Sequence, residues 1–116
     1  MVLLMKSDRE LLELAAKAAG LEFDPTYKNA HGLMVVRDGA ACQSDQVLWN
    51  PLTDDGDALR LAVKLYFDVR ISEIHRDTFV YFSGGVSADE AHRKNPYFAT
   101  RRAIVRAAAE IGKGLE

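Results

Sequence analysis

Residues 49–65, Trp49-Asn-Pro-Leu-Thr-Asp-Asp-Gly-Asp-Ala-Leu-Arg-Leu-Ala-Val-Lys-Leu65, constrain the fold more than any other stretch of the chain. Asn50-Pro51 must end any strand that reaches Trp49, because proline has no N–H to give to a ladder. Thr53 or Asp54 can then cap a helix, and Asp54, Asp55 and Asp57 load its first turn with acid. Ala58, Leu59, Leu61, Ala62, Val63 and Leu65 follow as a wide apolar stripe. The run therefore encodes strand, turn and amphipathic helix in succession, with Trp49 placed to plug the corner between them.

The flanking sequence supplies two more helices and four strands. Ser7-Asp-Arg-Glu10 has capping-box spacing, and Leu11, Leu12, Leu14, Ala15, Ala18 and Ala19 lie mostly on one side. Gly20 can stop that helix, which spans about residues 8–19. Leu21 to His31 reads as a loop broken by Pro25 and Asn29. Gly32-Leu-Met-Val-Val-Arg37 reads as a strand, Asp38-Gly39 as a turn, and Val47-Leu-Trp49 as a strand that pairs back.

From Phe67 to Ile74 the pattern alternates, with Phe67, Val69 and Ile71 on one side, as in a half-buried strand. Thr78 to Phe82 is the next strand, across a polar turn from Glu73 to Asp77. Ser83-Gly84-Gly85 breaks the pattern, and the polar segment to Lys94 is expected to be mobile and outside the sheet. Asn95-Pro96 starts a third helix, with asparagine as cap and proline at its first position, running to about Gly112. Tyr97 or Phe98, Ala99, Ile104, Val105, Ala108 and Ile111 form its apolar side. The expected order is α-β-β-α-β-β-α. It describes a single α+β domain over residues 1–116, a small antiparallel sheet of three to four strands packed by three helices.

Composition narrows the function classes. At 48% hydrophobic and 28% charged, a chain of 116 residues can bury a core without a disulfide or metal staple. The formal net charge of −2 argues against a nucleic-acid polycation. One cysteine, Cys42, makes no internal disulfide, and Met1-Val-Leu-Leu-Met5 is too short to span a bilayer. The sequence shows no secretory leader, so a reducing cytoplasm is the expected location.

No local pattern carries catalysis. Asp54, Asp55 and Asp57 could hold a divalent cation through oxygen, but a calcium loop opening at Asp54 needs glutamate where Leu65 stands. Opposing the positive end of the helix dipole accounts for all three. His31, His75 and His92 have no metal-ligand spacing, and Cys42 has no nearby histidine. Gly84-Gly85 lacks a phosphate-loop fingerprint and reads as a hairpin exit. We therefore expect no catalytic residue, no metal and no cofactor.

The unusual charge pattern lies late in the chain. Residues 89–113 carry six Lys/Arg against three Asp/Glu on an otherwise anionic protein. Arg93, Lys94, Arg101, Arg102 and Arg106 are the candidate partner-binding residues, suited to phosphate or to an acidic protein patch. The competing reading is a solvated helix face, in part paired with the acids of the second helix. Trp49, Phe79, Tyr81, Phe82, Tyr97 and Phe98 are expected in the core; any aromatic patch left exposed would mark a protein-binding surface.

Two segments, Trp49-Asn-Pro…Asp57-Ala-Leu-Arg-Leu-Ala-Val-Lys-Leu65 and Asn95-Pro-Tyr-Phe-Ala-Thr-Arg-Arg-Ala-Ile-Val-Arg-Ala-Ala-Ala109, resemble uncharacterised small proteins encoded in tailed-phage and prophage genomes. A more distant similarity is to the NinX-like phage family. With Asp8-Arg-Glu-Leu-Leu-Glu-Leu-Ala-Ala16 the likeness covers about half the chain, at the three helices. It implies an accessory phage gene product in the bacterial cytoplasm and supplies no catalytic residue. The expected function is non-enzymatic binding of a host or defence-system protein, with an anti-CRISPR-like inhibitor acting by occlusion as the concrete form. The alternative is sequestration of a small phosphate-bearing ligand, such as a nucleotide or signalling phosphate. A metal-dependent enzyme built on Asp54, Asp55 and Asp57 ranks last. The sequence leaves the oligomeric state open, a homodimer included.

Overall fold

A computed structural model describes residues 6–28, 31–36 and 46–115. Met1–Met5, Asn29, the Asp38-Gly39 turn and Cys42 lie outside the described residues. The chain has the expected α+β class; the described residues form three helices and five strands in the order α-β-β-α-β-β-β-α.

Helix α1 (Asp8–Ala18) starts with the anticipated reciprocal cap: Ser7 Oγ accepts the Glu10 N–H, and a Glu10 carboxylate oxygen accepts the Ser7 N–H. It ends where Gly20 turns left-handed at φ 72°, letting Leu21 and Gly20 donate back to the Ala16 and Lys17 carbonyls. Strands β1 (Leu33–Val36) and β2 (Gln46–Trp49) form an antiparallel pair with Leu33 opposite Trp49. Residues 22–24 add a partial third strand along β1, through Val36 to Glu22 and Asp24 to Met34 hydrogen bonds.

Asn50 fastens this hairpin to the next helix. Its side chain donates to the His31 carbonyl at 3.0 Å and accepts the Leu52 N–H at 3.0 Å, while its own N–H donates to Asp57. Asp54 caps α2 (Asp55–Lys64) by accepting the Asp57 N–H.

Strands β3 (Asp68–Ser72), β4 (Asp77–Phe82) and β5 (Gly85–Ala91) form a second antiparallel sheet in the order β3-β4-β5. Strand β5 corrects the sequence expectation that residues 83–94 lie outside the sheet. Ser83 (φ 54°) and Gly84 (φ 83°) make a two-residue turn of the hand that matches strand twist. Only Ala88 of β5 is buried, so its apolar signal is nearly nil and its partner backbone comes from β4. β4 is the central strand, with Thr78 and Val80 fully buried. In place of the expected single sheet of three to four strands, the described residues form two sheets, of two and three strands.

Helix α3 (Pro96–Gly114) crosses β4 and β5 and packs most extensively on α1. The α1–α3 seam is built from small residues: Ala15, Ala16, Ala103, Ala107 and Ala108 are wholly inaccessible, and Leu14 lies against Gly112. Asp8 meets Arg102 and Leu14 meets Gly112, so the two helices run in the same sense. Leu33, Val35, Trp49, Val80 and Val105 complete one continuous core, the fully buried aliphatic side chains contributing about 1.5–3 kcal/mol each. Trp49, the last residue of β2, is buried in this core.

Candidate partner-binding surface

The 3.6-residue period sends the arginines of α3 to three different neighbours. Arg101 Nε donates to the Leu52 carbonyl at 2.9 Å, and its guanidinium pairs with Asp55 on α2 at 2.7 Å. Arg102 pairs with Asp8 at the start of α1 at 3.2 Å. Arg106 pairs with Glu90 on β5 and donates to the Asp89 carbonyl. Three of the five candidate cations therefore cross-brace α3 against α2, α1 and β5. The Arg101 and Arg102 side chains keep only 17% and 22% of their accessibility.

Arg93 and Lys94 differ. Both are exposed on the connection from β5 to α3, and neither side chain has a partner among the described residues. Arg93 itself adopts a left-handed conformation (φ 53°). The His92 N–H donates to the Arg76 carbonyl at 2.8 Å, which brings the exposed Arg76 of the β3–β4 turn beside them. Tyr97 and Phe98 follow in the first turn of α3, 70% and 48% exposed. Arginine and aromatic rings are the side chains that most often anchor protein interfaces. The sequence assigns these rings to the core; the structure leaves both at the surface because Ala99 and Ala103 fill the inward positions.

The aspartates of α2 are each engaged. Asp54 accepts the Asp57 N–H, Asp57 accepts the Asn50 N–H and an Arg60 guanidinium N–H at 2.7 Å, and Asp55 pairs with Arg101. Among the described residues, no three of His, Cys, Asp and Glu converge as a metal-binding group.

Sequence reasoning missed two features. The buried Thr78 hydroxyl lies 2.8 Å from His92 Nε2 and 2.8 Å from the Thr100 hydroxyl. This joins β4, the β5–α3 connection and α3 with polar atoms that satisfy one another. No spacing rule announces it, since His92 and Thr100 stand 14 and 22 positions from Thr78 in the chain.

The second feature is an apolar groove of about 570 Å³ between α2, β3 and α3. Ala58, Leu59 and Ala62 form one wall, Val69 and Ile71 of β3 another, and Tyr97, Thr100 and Ile104 the third. Leu59 and Val63 are each 65% exposed and Ile71 62%, although periodicity assigns all three to a buried side. The signal was the breadth of the α2 stripe, wider than one packing partner covers.

Known proteins add no relationship to this geometry: no family model, no curated protein and no solved structure matches the chain. No helix among the described residues is long and apolar enough to cross a membrane.

Proposed function

We propose that the chain is a non-enzymatic accessory protein of a tailed phage or prophage that acts in the bacterial cytoplasm by binding a host protein. Interference with a defence system by occlusion, in the manner of an anti-CRISPR inhibitor, is its concrete form. The phage-family resemblance of the three helices supports the setting. The observation that carries the binding reading is the uncommitted pair Arg93 and Lys94 beside the exposed rings of Tyr97 and Phe98. Cations without an internal partner, next to apolar rings, suit an acidic protein surface with an apolar centre. Arg101, Arg102 and Arg106 then serve the contact indirectly, by fixing the helix that presents it.

Affinity capture from bacterial lysate tests this reading. The wild-type chain should enrich a discrete host protein, and the double variant Arg93→Glu/Lys94→Glu should lose it while keeping its melting temperature. Equal capture by the variant overturns the surface, and no enrichment by either overturns the function. A nucleotide thermal-shift screen forms the second arm. A nucleotide that raises the melting temperature of the wild type but not of the double variant would put small-ligand sequestration in place of protein binding.

A further inference from the structure

We propose that two copies of this chain associate through β3, antiparallel, in the register that sets Val69 of one copy opposite Val69 of the other. The association is independent of the Arg93–Lys94 surface. Strand β3 pairs with β4 on one side only, so its outer edge leaves alternate backbone N–H and C=O groups without a strand partner among the described residues. Its two faces differ. Val69 and Ile71 line the apolar groove, while Asp68 and Arg70 lie on the opposite face, where Arg70 covers the Tyr81 ring at 4.5 Å.

Charge and side-chain period select one self-pairing. An odd slip would set the apolar face of one strand against the polar face of the other. Among the registers that keep the faces matched, one sets Asp68 opposite Asp68 and another sets Arg70 opposite Arg70, each placing like charges in contact. The register centred on Val69 sets Asp68 opposite the second copy's Arg70, twice by symmetry. On the groove face it sets Val69 against Val69 and Phe67 against Ile71. Within one chain, Arg70 Nε and a terminal guanidinium nitrogen both donate to Asp68 Oδ2, at 3.2 and 3.0 Å, and Oδ1 has no partner among the described residues. That oxygen can take the guanidinium of the second copy. The two grooves become neighbours across the axis, which gives the exposure of Ile71 and of Leu59 a purpose.

Sedimentation velocity and light scattering on the full chain test this, over about 1 μM to about 1 mM. The wild type should dimerise as concentration rises. Asp68→Arg and Arg70→Asp, each alone, should weaken the dimer about tenfold or more, since each sets like charges opposite one another at two places. Mixed in equal amounts, the two variants should form a heterodimer, because one then presents a cation at both positions and the other an anion at both. A structural effect of either substitution would not produce that rescue. If a charge variant loses its far-UV circular dichroism, Asp68→Asn and Arg70→Gln replace the pair, and weaker association is expected of each. A wild type that stays monomeric throughout, or a dimer indifferent to these substitutions, overturns the proposal.

Discussion

The backbone carbonyl of Leu14 occupies the space where a side chain at position 112 would begin: a Cβ built on Gly112 would lie 1.9 Å from that oxygen. This is closer than any real Cβ contact, and the obstacle is backbone rather than a side chain that can swing aside. Gly112 is therefore the point that sets the distance between α1 and α3. Gly112→Ala must push the helices apart along the alanine seam, and we predict a loss of about 2–3 kcal/mol despite the better helix propensity of alanine. Urea denaturation followed by circular dichroism measures it. A neutral or stabilising result would show that the helices can separate without cost.

At the end of α2 the reverse substitution should help. Tyr66 holds a left-handed conformation (φ 57°), with its ring 91% exposed. The Tyr66 and Phe67 N–H groups donate back to the Val63 and Ala62 carbonyls, the arrangement that usually places glycine at the left-handed position. Nothing buried is lost by removing the ring. Tyr66→Gly should stabilise the chain by about 1 kcal/mol, read as a rise in the urea midpoint with an unchanged slope.

These two sites show which parts of the fold the sequence announces. Gly20 stands where a helix stop is expected and performs it; Tyr66 performs the same stop with no sequence signal at all. Caps such as Ser7, Asp54 and Asn95 are legible because each acts on a backbone group three residues away. Strand β5 is not, because its inward face offers only Ala88 as a buried apolar residue, with the charged Glu90 beside it paired to Arg106, and its pairing depends on β4. The candidate site divides in the same way. The cationic composition of residues 89–113 is visible in the chain, but which cations are spoken for depends on partners 46 and 94 residues away, Asp55 and Asp8. Local pattern cannot count such pairs.

The capping box on α1 carries a pH signature. The Glu10 carboxyl is held below the ordinary value of 4.5, chiefly because it accepts the Ser7 backbone N–H, and further by its hydrogen bonding with the Ser7 side chain. A folded value below the unfolded one stabilises the fold at pH above the unfolded value, and that contribution disappears as pH falls through the folded value. In Ser7→Ala the hydroxyl is gone and the backbone bond is left unsupported, so the Glu10 pKa should rise toward 4.5. Carbon-detected NMR titration of the Glu10 carboxyl in both proteins checks this. An unchanged pKa would mean that the side-chain half of the box does not form in solution.

The arginines of α3 yield the final prediction, because their roles separate stability from binding. Arg101 loses most of its solvent on folding and gives two hydrogen bonds to groups on the loop before α2 and on α2 itself. Its ion pair contributes little by itself, since Asp55 remains 76% exposed and well screened. The bond to the Leu52 carbonyl is the larger part: Leu52 is buried, and its acceptor would be left without that donor. Arg101→Ala should therefore cost about 1–2 kcal/mol, whereas Arg93→Ala and Lys94→Ala should each stay within about 0.5 kcal/mol of the wild type. Partner capture should rank the same variants in the opposite order, with Arg93→Ala and Lys94→Ala losing more than Arg101→Ala under conditions where all three are folded. Thermal denaturation and capture on one set of purified proteins give both rankings. If Arg101→Ala left stability untouched, α3 would not be braced as described. If it abolished capture while remaining folded, the contact surface would extend along the helix beyond Phe98.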